Sequence, residues 1–152
     1  LKTYNLPGGA PAVSITAHSG YVYSANYSPD GTMIATAGSD KKVKIWSATG
    51  LLLFTCTGHG DEVTSVKFTP DNAFLVSGSL DGVVKIWDTT NGNLVKTIAA
   101  HTNEIKQVDI SPDGSMIVTA SADQTCKIWN FNTGDFISTF GKLNGGVVWS
   151  AN

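Results

Sequence analysis

Histidine, hydroxyl and carboxylate side chains recur together in this chain at spacings that invite nucleophilic chemistry. His18, Thr36 and Asp40 form the first set, His59, Ser77 and Asp81 the second, and His101, Thr119 and Asp123 the third. A hydroxyl nucleophile needs a base to take its proton and a carboxylate to orient that base. Two features argue against that use. Each set carries a Trp (Trp46, Trp87 or Trp129), with the hydroxyl four residues before the Asp and the Trp six after it. The whole set also recurs three times, displaced by 41 and then 42 residues, and two of the three hydroxyls belong to Thr. A catalytic centre is needed once, whereas a device present in every unit of a repeat is bracing. No catalytic residue is therefore expected.

A metal site fares no better. The three His residues stand one per repeat, too far apart to share a coordination sphere, and Cys56 and Cys126 show no CxxC spacing. Cys126 takes the place of Val43 and Val84, and Cys56 that of Ile15 and Ile98, so both read as small apolar core residues. The expectation is no metal, no cofactor and no disulfide. Asn26-Tyr27-Ser28 is a glycosylation sequon, but it falls inside a strand pattern ahead of Pro29, and its equivalents Lys67 and Asp109 read as outward-facing polar positions.

The elements that hold these residues follow from periodicity. After each His comes a segment of period two: Tyr21 to Tyr27, Glu62 to Phe68, Glu104 to Ile110. Such alternation marks a strand with one buried face. A turn follows each: Ser28-Pro29-Asp30-Gly31, Thr69-Pro70-Asp71-Asn72, Ser111-Pro112-Asp113-Gly114. Pro presets the second turn position, and Gly or Asn accepts the left-handed geometry after it. A second strand (Met33 to Gly38, Phe74 to Ser79, Met116 to Ser121), a turn around the Asp, and a third strand ending on the Trp complete the pattern. Thr49-Gly50, Asn91-Gly92 or Thr133-Gly134 then turns into a fourth strand. A self-similar period near 40 residues signifies stacked units. The composition agrees with an all-β chain of tight turns: 41% hydrophobic, 14% charged, 16 Gly and 5 Pro. The net charge is −2 and no basic run exceeds Lys41-Lys42, which argues against nucleic acid or an anionic membrane as partner. No apolar run is long enough for membrane insertion.

On these residues the chain resembles the WD40-repeat family, over about residues 12 to 152. The signature Gly-His appears as Gly58-His59, with Ala17-His18 and Ala100-His101 elsewhere; Trp-Asp appears as Trp87-Asp88, with Trp46-Ser47 and Trp129-Asn130 elsewhere. The resemblance implies a β-propeller whose repeats form four-stranded antiparallel blades. It also implies that His, Ser/Thr, Asp and Trp form one buried hydrogen-bond relay per blade, and that partners dock on the face made by the loop after the His and the loop before the Asp. On this chain that face comprises Ser19, Tyr21 and Ser39; Gly60, Glu62 and Leu80; Thr102, Glu104 and Ala122. Tyr21 and Leu80 are the expected apolar anchors there. Glu62 and Glu104 suit a Lys/Arg-bearing protein or peptide.

The expected architecture is three complete blades (about 18–58, 59–100 and 101–143) with orphan strands at both ends, a partial ring. Residues 1–11 read as a linker or irregular strand, and Val13 to Ala17 as the fourth strand of a blade otherwise absent. Gly145 to Asn152 aligns with Ser19 to Asn26, sharing Ser-Ala-Asn, and reads as the start of a fourth blade at 144–152. With Leu1 in place of an initiator Met, the chain reads as a segment of a longer propeller, intracellular and in the cytoplasm. The functional expectation is a non-catalytic scaffold for protein–protein interaction in a multiprotein complex. The rest of its own propeller, or another chain, is expected to close the ring. One alternative is an architectural module whose open ends pair with other chains to form a ring or filament. Another is an enzyme or small-ligand propeller using a central channel, where Ser24, Ser65 and Gln107 supply no titratable cluster.

Overall fold

The computed structural model describes residues 2–4 and 11–141, with side chains from Ser14 onward. The expected start of a fourth blade at 144–152 lies outside the described residues. β1 (Lys2–Tyr4) and β2 (Pro11–Ser14) form an antiparallel two-stranded sheet. At three residues, β1 is too short to show a period in the sequence. Pairing on it ends at Ser14, so the orphan strand lies earlier than the 13–17 read from the sequence.

Three four-stranded antiparallel sheets follow. The first holds β3 (Val22–Tyr27), β4 (Met33–Gly38), β5 (Val43–Ser47) and β6 (Leu52–Cys56). The second holds β7 (Val63–Phe68), β8 (Phe74–Ser79), β9 (Val83–Asp88) and β10 (Leu94–Ala99). The third holds β11 (Ile105–Ile110), β12 (Met116–Ser121), β13 (Cys126–Asn130) and β14 (Phe136–Phe140). Each is a meander with strands in chain order. The first strands of successive sheets lie side by side, β3 against β7 and β7 against β11, so the sheets fan out from that line. Among the described residues there is no helix, and hence none long and apolar enough to cross a membrane.

Turn chemistry closes the meanders as the side chains dictate. Gly31, Asn72 and Gly114 sit at φ of 73, 64 and 74°, and the Ser28, Thr69 and Ser111 hydroxyls donate to Asp30, Asp71 and Asp113 at 2.6 Å. The first hairpin of every sheet carries a bulge at the same place, with Tyr23, Thr64 and Lys106 as the extra residues.

The core lies between sheets rather than within one. Ala35, Ala37, Val43, Ile45 and Cys56 of the first sheet pack on Val63, Val66, Phe68, Leu75 and Trp87 of the second. Val76, Val84, Ile86 and Ile98 repeat the contact with Ile105, Val108, Ile117 and Trp129 of the third. Burial of this apolar area drives the stacking. The outermost faces are less covered. Val22 is 39% exposed and Tyr27 53%, where their equivalents Val63 and Phe68 are at 0% and 4%. On the third sheet, Val118, Cys126 and Ile128 are only half-buried, where Ala35, Val43 and Ile45 are fully buried. Cys126 is thus a residue of a partly open face, unlike Cys56, because no further sheet among the described residues covers it.

Candidate functional site

Each repeated set of four side chains closes into one relay inside its own sheet. In the first, the Trp46 indole donates to Thr36 Oγ1 at 3.0 Å, Thr36 meets His18 Nε2 at 2.8 Å, and His18 Nδ1 meets Asp40 at 2.6 Å. In the third, the corresponding distances for Trp129, Thr119, His101 and Asp123 are 3.1, 2.6 and 2.7 Å. The second is looser at one end. Trp87 donates to Ser77 Oγ at 2.8 Å and Ser77 meets His59 at 2.8 Å, but His59 Nδ1 lies 3.4 Å from Asp81. There Asp81 Oδ2 takes the backbone N–H of Gly60 instead, at 2.7 Å.

Protonation follows from burial. Desolvation pushes His59 and His101 below the ordinary imidazole value, outweighing Asp81 and Asp123, which pull the other way. Neutral rings then carry their proton on Nδ1 towards the carboxylate and accept the hydroxyl proton at Nε2. With that proton committed and the Trp N–H on its lone pair, the hydroxyl is held in a closed chain of donors and acceptors. Burial raises the carboxyls, yet hydrogen bonds prevail: Thr125 and His101 hold Asp123 down at about 2. No buried side-chain nitrogen or oxygen among the described residues lacks a partner. The three rings belong to three separate relays, and no group of three or more His, Cys, Asp or Glu among the described residues is placed to hold a metal ion.

The Lys in the middle of each third strand was not singled out from the sequence. Lys44 Nζ donates to Ala17 O and lies 5.7 Å from the Trp46 ring centre; Lys127 Nζ donates to Ala100 O and lies 5.8 Å from that of Trp129. Lys85 bonds Thr97 Oγ1 instead, at 3.0 Å. Its signal was the invariable Lys-Ile-Trp run in all three copies.

The loops beside these relays form an upper rim, and backbone bonds join its members in pairs. Ser39 donates to Tyr21 O, Leu80 to Glu62 O and Ala122 to Glu104 O, each at 2.9 Å. Tyr21 is 76% exposed, with its ring centre 6.3 Å from that of Tyr23, itself 45% exposed. Tyr23, the bulged residue, sends its hydroxyl across to the Glu62 carboxylate of the second sheet. Leu80 is half-buried rather than free. Glu104 is ion-paired with Lys106, and Lys41 lies 3.7 Å from Asp61, so acidic charge on the rim is largely met by its own cations.

A polar groove runs between the first strands. Ser24 Oγ meets the Val66 N–H at 3.4 Å and Ser65 Oγ the Val108 N–H at 3.2 Å, tying each sheet to the next. Gln107 lines the same groove. Asn26 donates to Val66 O, and Lys67 pairs with Asp109 at 3.2 Å. These three positions therefore face the groove between sheets and are not the outward-facing ones read from strand alternation. They still alternate with Tyr27, Phe68 and Ile110, but the first strand of a neighbouring sheet lies beside that side too, so polar residues there meet another sheet.

The sequence model of the "WD domain, G-beta repeat" matches residues 9–47, 50–88 and 92–130. The repeats are offset from the sheets: the second begins with β6, the outer strand of the first sheet, so successive repeats interlock. Over 60 residues the chain is 35% identical to the target of rapamycin complex subunit LST8 of Bos taurus, covering 34% of this chain and 18% of that one. It is 35% identical over 46 residues to transcription initiation factor TFIID subunit 5 of Caenorhabditis elegans (30% and 7% covered) and 45% over 42 residues to an intraflagellar transport protein 80 homolog of Rattus norvegicus (28% and 5%). The chain spans less than a fifth of the length of each of these relatives. With three matches over well more than half its residues and three blade-like sheets in register, the chain belongs to the WD40-repeat family.

Proposed function

We propose that this chain is a non-catalytic scaffold that presents its upper rim to protein partners within a multiprotein complex. One observation carries the reading. The His, hydroxyl and Asp groups that would do chemistry are consumed in blade-internal relays, while Tyr21 and Tyr23 stand exposed beside Glu62 on the rim. Stiff sheets hold that rim in place, so little ordering cost attends docking. The names of its relatives, subunits of a target of rapamycin complex and of TFIID, support a role in assemblies. A Lys or Arg of the partner would sit over the tyrosine rings and reach Glu62; Glu104, neutralised by Lys106, contributes less. Selection of peptides from a random display library on the chain tests this. Enrichment in Lys or Arg, with affinity reduced at least fivefold by Tyr21→Ala, is expected. Peptides whose affinity ignores Tyr21, Glu62 and Leu80 overturn it.

A second reading, an architectural module, draws on the under-covered outer faces. Val22, Ala25 and Tyr27 on one side, and Val118, Cys126 and Ile128 on the other, are the positions that each inner junction buries. Further blades, from the same longer chain or from another, would cover them. Sedimentation distinguishes the two: a monodisperse 16.0 kDa monomer argues against pairing with other copies.

A further inference from the structure

On the lower face, the two junctions between sheets differ in the turn residue that bridges them, and Phe74 and Phe131 of the second stand where the first has Met33 and Thr89. At the first, Asn72 reaches from the second sheet across to the first, where its side-chain oxygen accepts the backbone N–H of Asp30 at 3.2 Å. At the second, Gly114 stands in the equivalent place, with the same left-handed backbone (φ 74 against 64°) and no side chain. A Cβ added there would point towards Pro70 of the second sheet at an ordinary 3.5 Å. The space so vacated is part of a surface pocket of about 300 Å³ lined by Pro70, Asp71, Phe74, Asp113, Gly114 and Phe131 among others.

The lining is chemically selective. Phe74 and Phe131 form its aromatic side, with ring centres 5.6 Å apart at 56°. Asp71 and Asp113 stand on the two turns that border it. In both, a single oxygen takes all the internal bonds: Asp71 Oδ1 accepts from Thr69 Oγ1 and the Ala73 N–H, and Asp113 Oδ1 from Ser111 Oγ, Ser115 Oγ and the Ser115 N–H. Oδ2 of each has no bond among the described residues. The neighbouring cation, Lys96, is engaged on Asn132 O and so is spoken for.

We infer that this pocket between the second and third sheets binds an arginine side chain of a partner protein. A guanidinium is planar, stacks on aromatic rings and offers several N–H donors in a fixed fork, matching two carboxylate oxygens beside two phenyl rings. A side chain fits the space because, at the sister junction, one already crosses it. Phosphate groups are repelled by the carboxylates, and a purely apolar side chain would leave both of them desolvated without a partner. The site lies on the face opposite the rim and does not depend on the reading of that rim.

The test is a titration of the full chain with N-acetyl-arginine amide, followed by backbone amide resonances. Saturable shifts at Gly114, Ser115 and Phe131 are expected, with N-acetyl-citrulline amide, the neutral isostere, giving none at the same concentration. Gly114→Asn, which installs the side chain that closes the sister junction, should weaken the arginine probe at least tenfold. Asp113→Asn and Asp71→Asn each keep the Oδ1 acceptor that holds the turn and should weaken it at least threefold. Unchanged resonances elsewhere, with Tyr21→Ala leaving the titration untouched, separate this site from the rim. No saturable shift at those amides overturns the inference. So does an equal response to citrulline, or an undiminished response in folded Gly114→Asn.

Discussion

The hydroxyl of Tyr23 in the first sheet donates to the carboxylate of Glu62 in the second, 39 residues away in sequence. The bond links the bulge of β3 to the loop before β7, and the Tyr23 ring lies beside that of Tyr21. Accepting that bond, and lending its negative charge, Glu62 raises the Tyr23 phenol above its ordinary value.

Rim residues therefore differ in what their removal costs. Tyr21, at 76% exposed, packs on little, so Tyr21→Ala should change unfolding free energy by no more than about 0.5 kcal/mol. Leu80 is half-buried and should cost more as Ala, on the order of 1 kcal/mol. Urea titrations of both variants check this. A Tyr21 variant that is clearly less stable would make that ring a packing residue.

Removing a relay hydroxyl should hurt far more. Ser77 lies at 0% exposure and serves both the Trp87 N–H and His59, so Ser77→Ala orphans two buried groups. About 1–3 kcal/mol for each is expected. Restoring a hydroxyl with Ser77→Thr, the residue found in the other two sheets, should recover most of it. Thermal unfolding of the pair decides the matter, and equal melting of Ser77→Ala and the unaltered chain would show that the relay braces nothing.

Much of this was legible because the repeat exposed it. Strands β4, β8 and β12 begin and end where period-two spacing and the Ser/Thr-Pro-Asp turns put them, whereas the meeting of Trp, hydroxyl, His and Asp in one relay was implied by the family resemblance and not by their offsets. What repetition could not show were contacts between one blade and the next. Tyr23 on Glu62, Asn72 on Asp30 and Lys67 on Asp109 join residues about 40 apart whose meeting depends on how the sheets fan out. The Asp turns hid a further feature. Lys41 and Gln124 hold φ of 64 and 70°, where the second sheet uses Gly82, and neither residue type announces that geometry.

Acid should destabilise the fold in a defined window. His59 and His101 sit below the ordinary imidazole value of 6.5 when folded, so the unfolded chain binds their protons more readily. Their contribution is complete above about pH 6.5 and is lost as pH falls through that value towards the folded pKa. Asp123, held at about 2 against 3.8, adds a loss between those two values. Denaturant midpoints measured from pH 8 to 4 should therefore be flat at first and then fall. A midpoint that rises as pH drops through 6 contradicts neutral buried rings.

The two thiols should react at different rates. Burial pushes Cys56 up to about 12, and Cys126, half-buried on the outer face, is raised as well. Both are thiols, not thiolates, at neutral pH and should be slow towards a disulfide reagent. Cys126 should be modified first, and Cys56 only as the chain opens. Mass mapping after partial modification reads the order, and prior loss of the Cys56 thiol would place it nearer solvent.

Two glycines with nearly the same backbone should respond very differently to substitution. Gly31 holds φ of 73° and Gly82 of 78°, so alanine in either pays a left-handed penalty of roughly 1–2 kcal/mol. At Gly31 nothing lies within 4 Å of an added Cβ, and the penalty ends there. At Gly82 the Cβ would fall 2.4 Å from the backbone oxygen of His101 and 3.2 Å from that of Asn103. The carbonyl of Gly82 also accepts the N–H groups of Ala100 and His101, at 3.2 and 3.0 Å. The backbone cannot yield there without moving His101, whose ring anchors the third relay. Gly82→Ala should thus cost several times what Gly31→Ala does, and loosen the third sheet as well as the second. Hydrogen exchange at Thr119 and Lys127 in the two variants reads that spread. Equal stability, or faster exchange confined to the second sheet, would show that the Asp81 turn bears no part of the next blade.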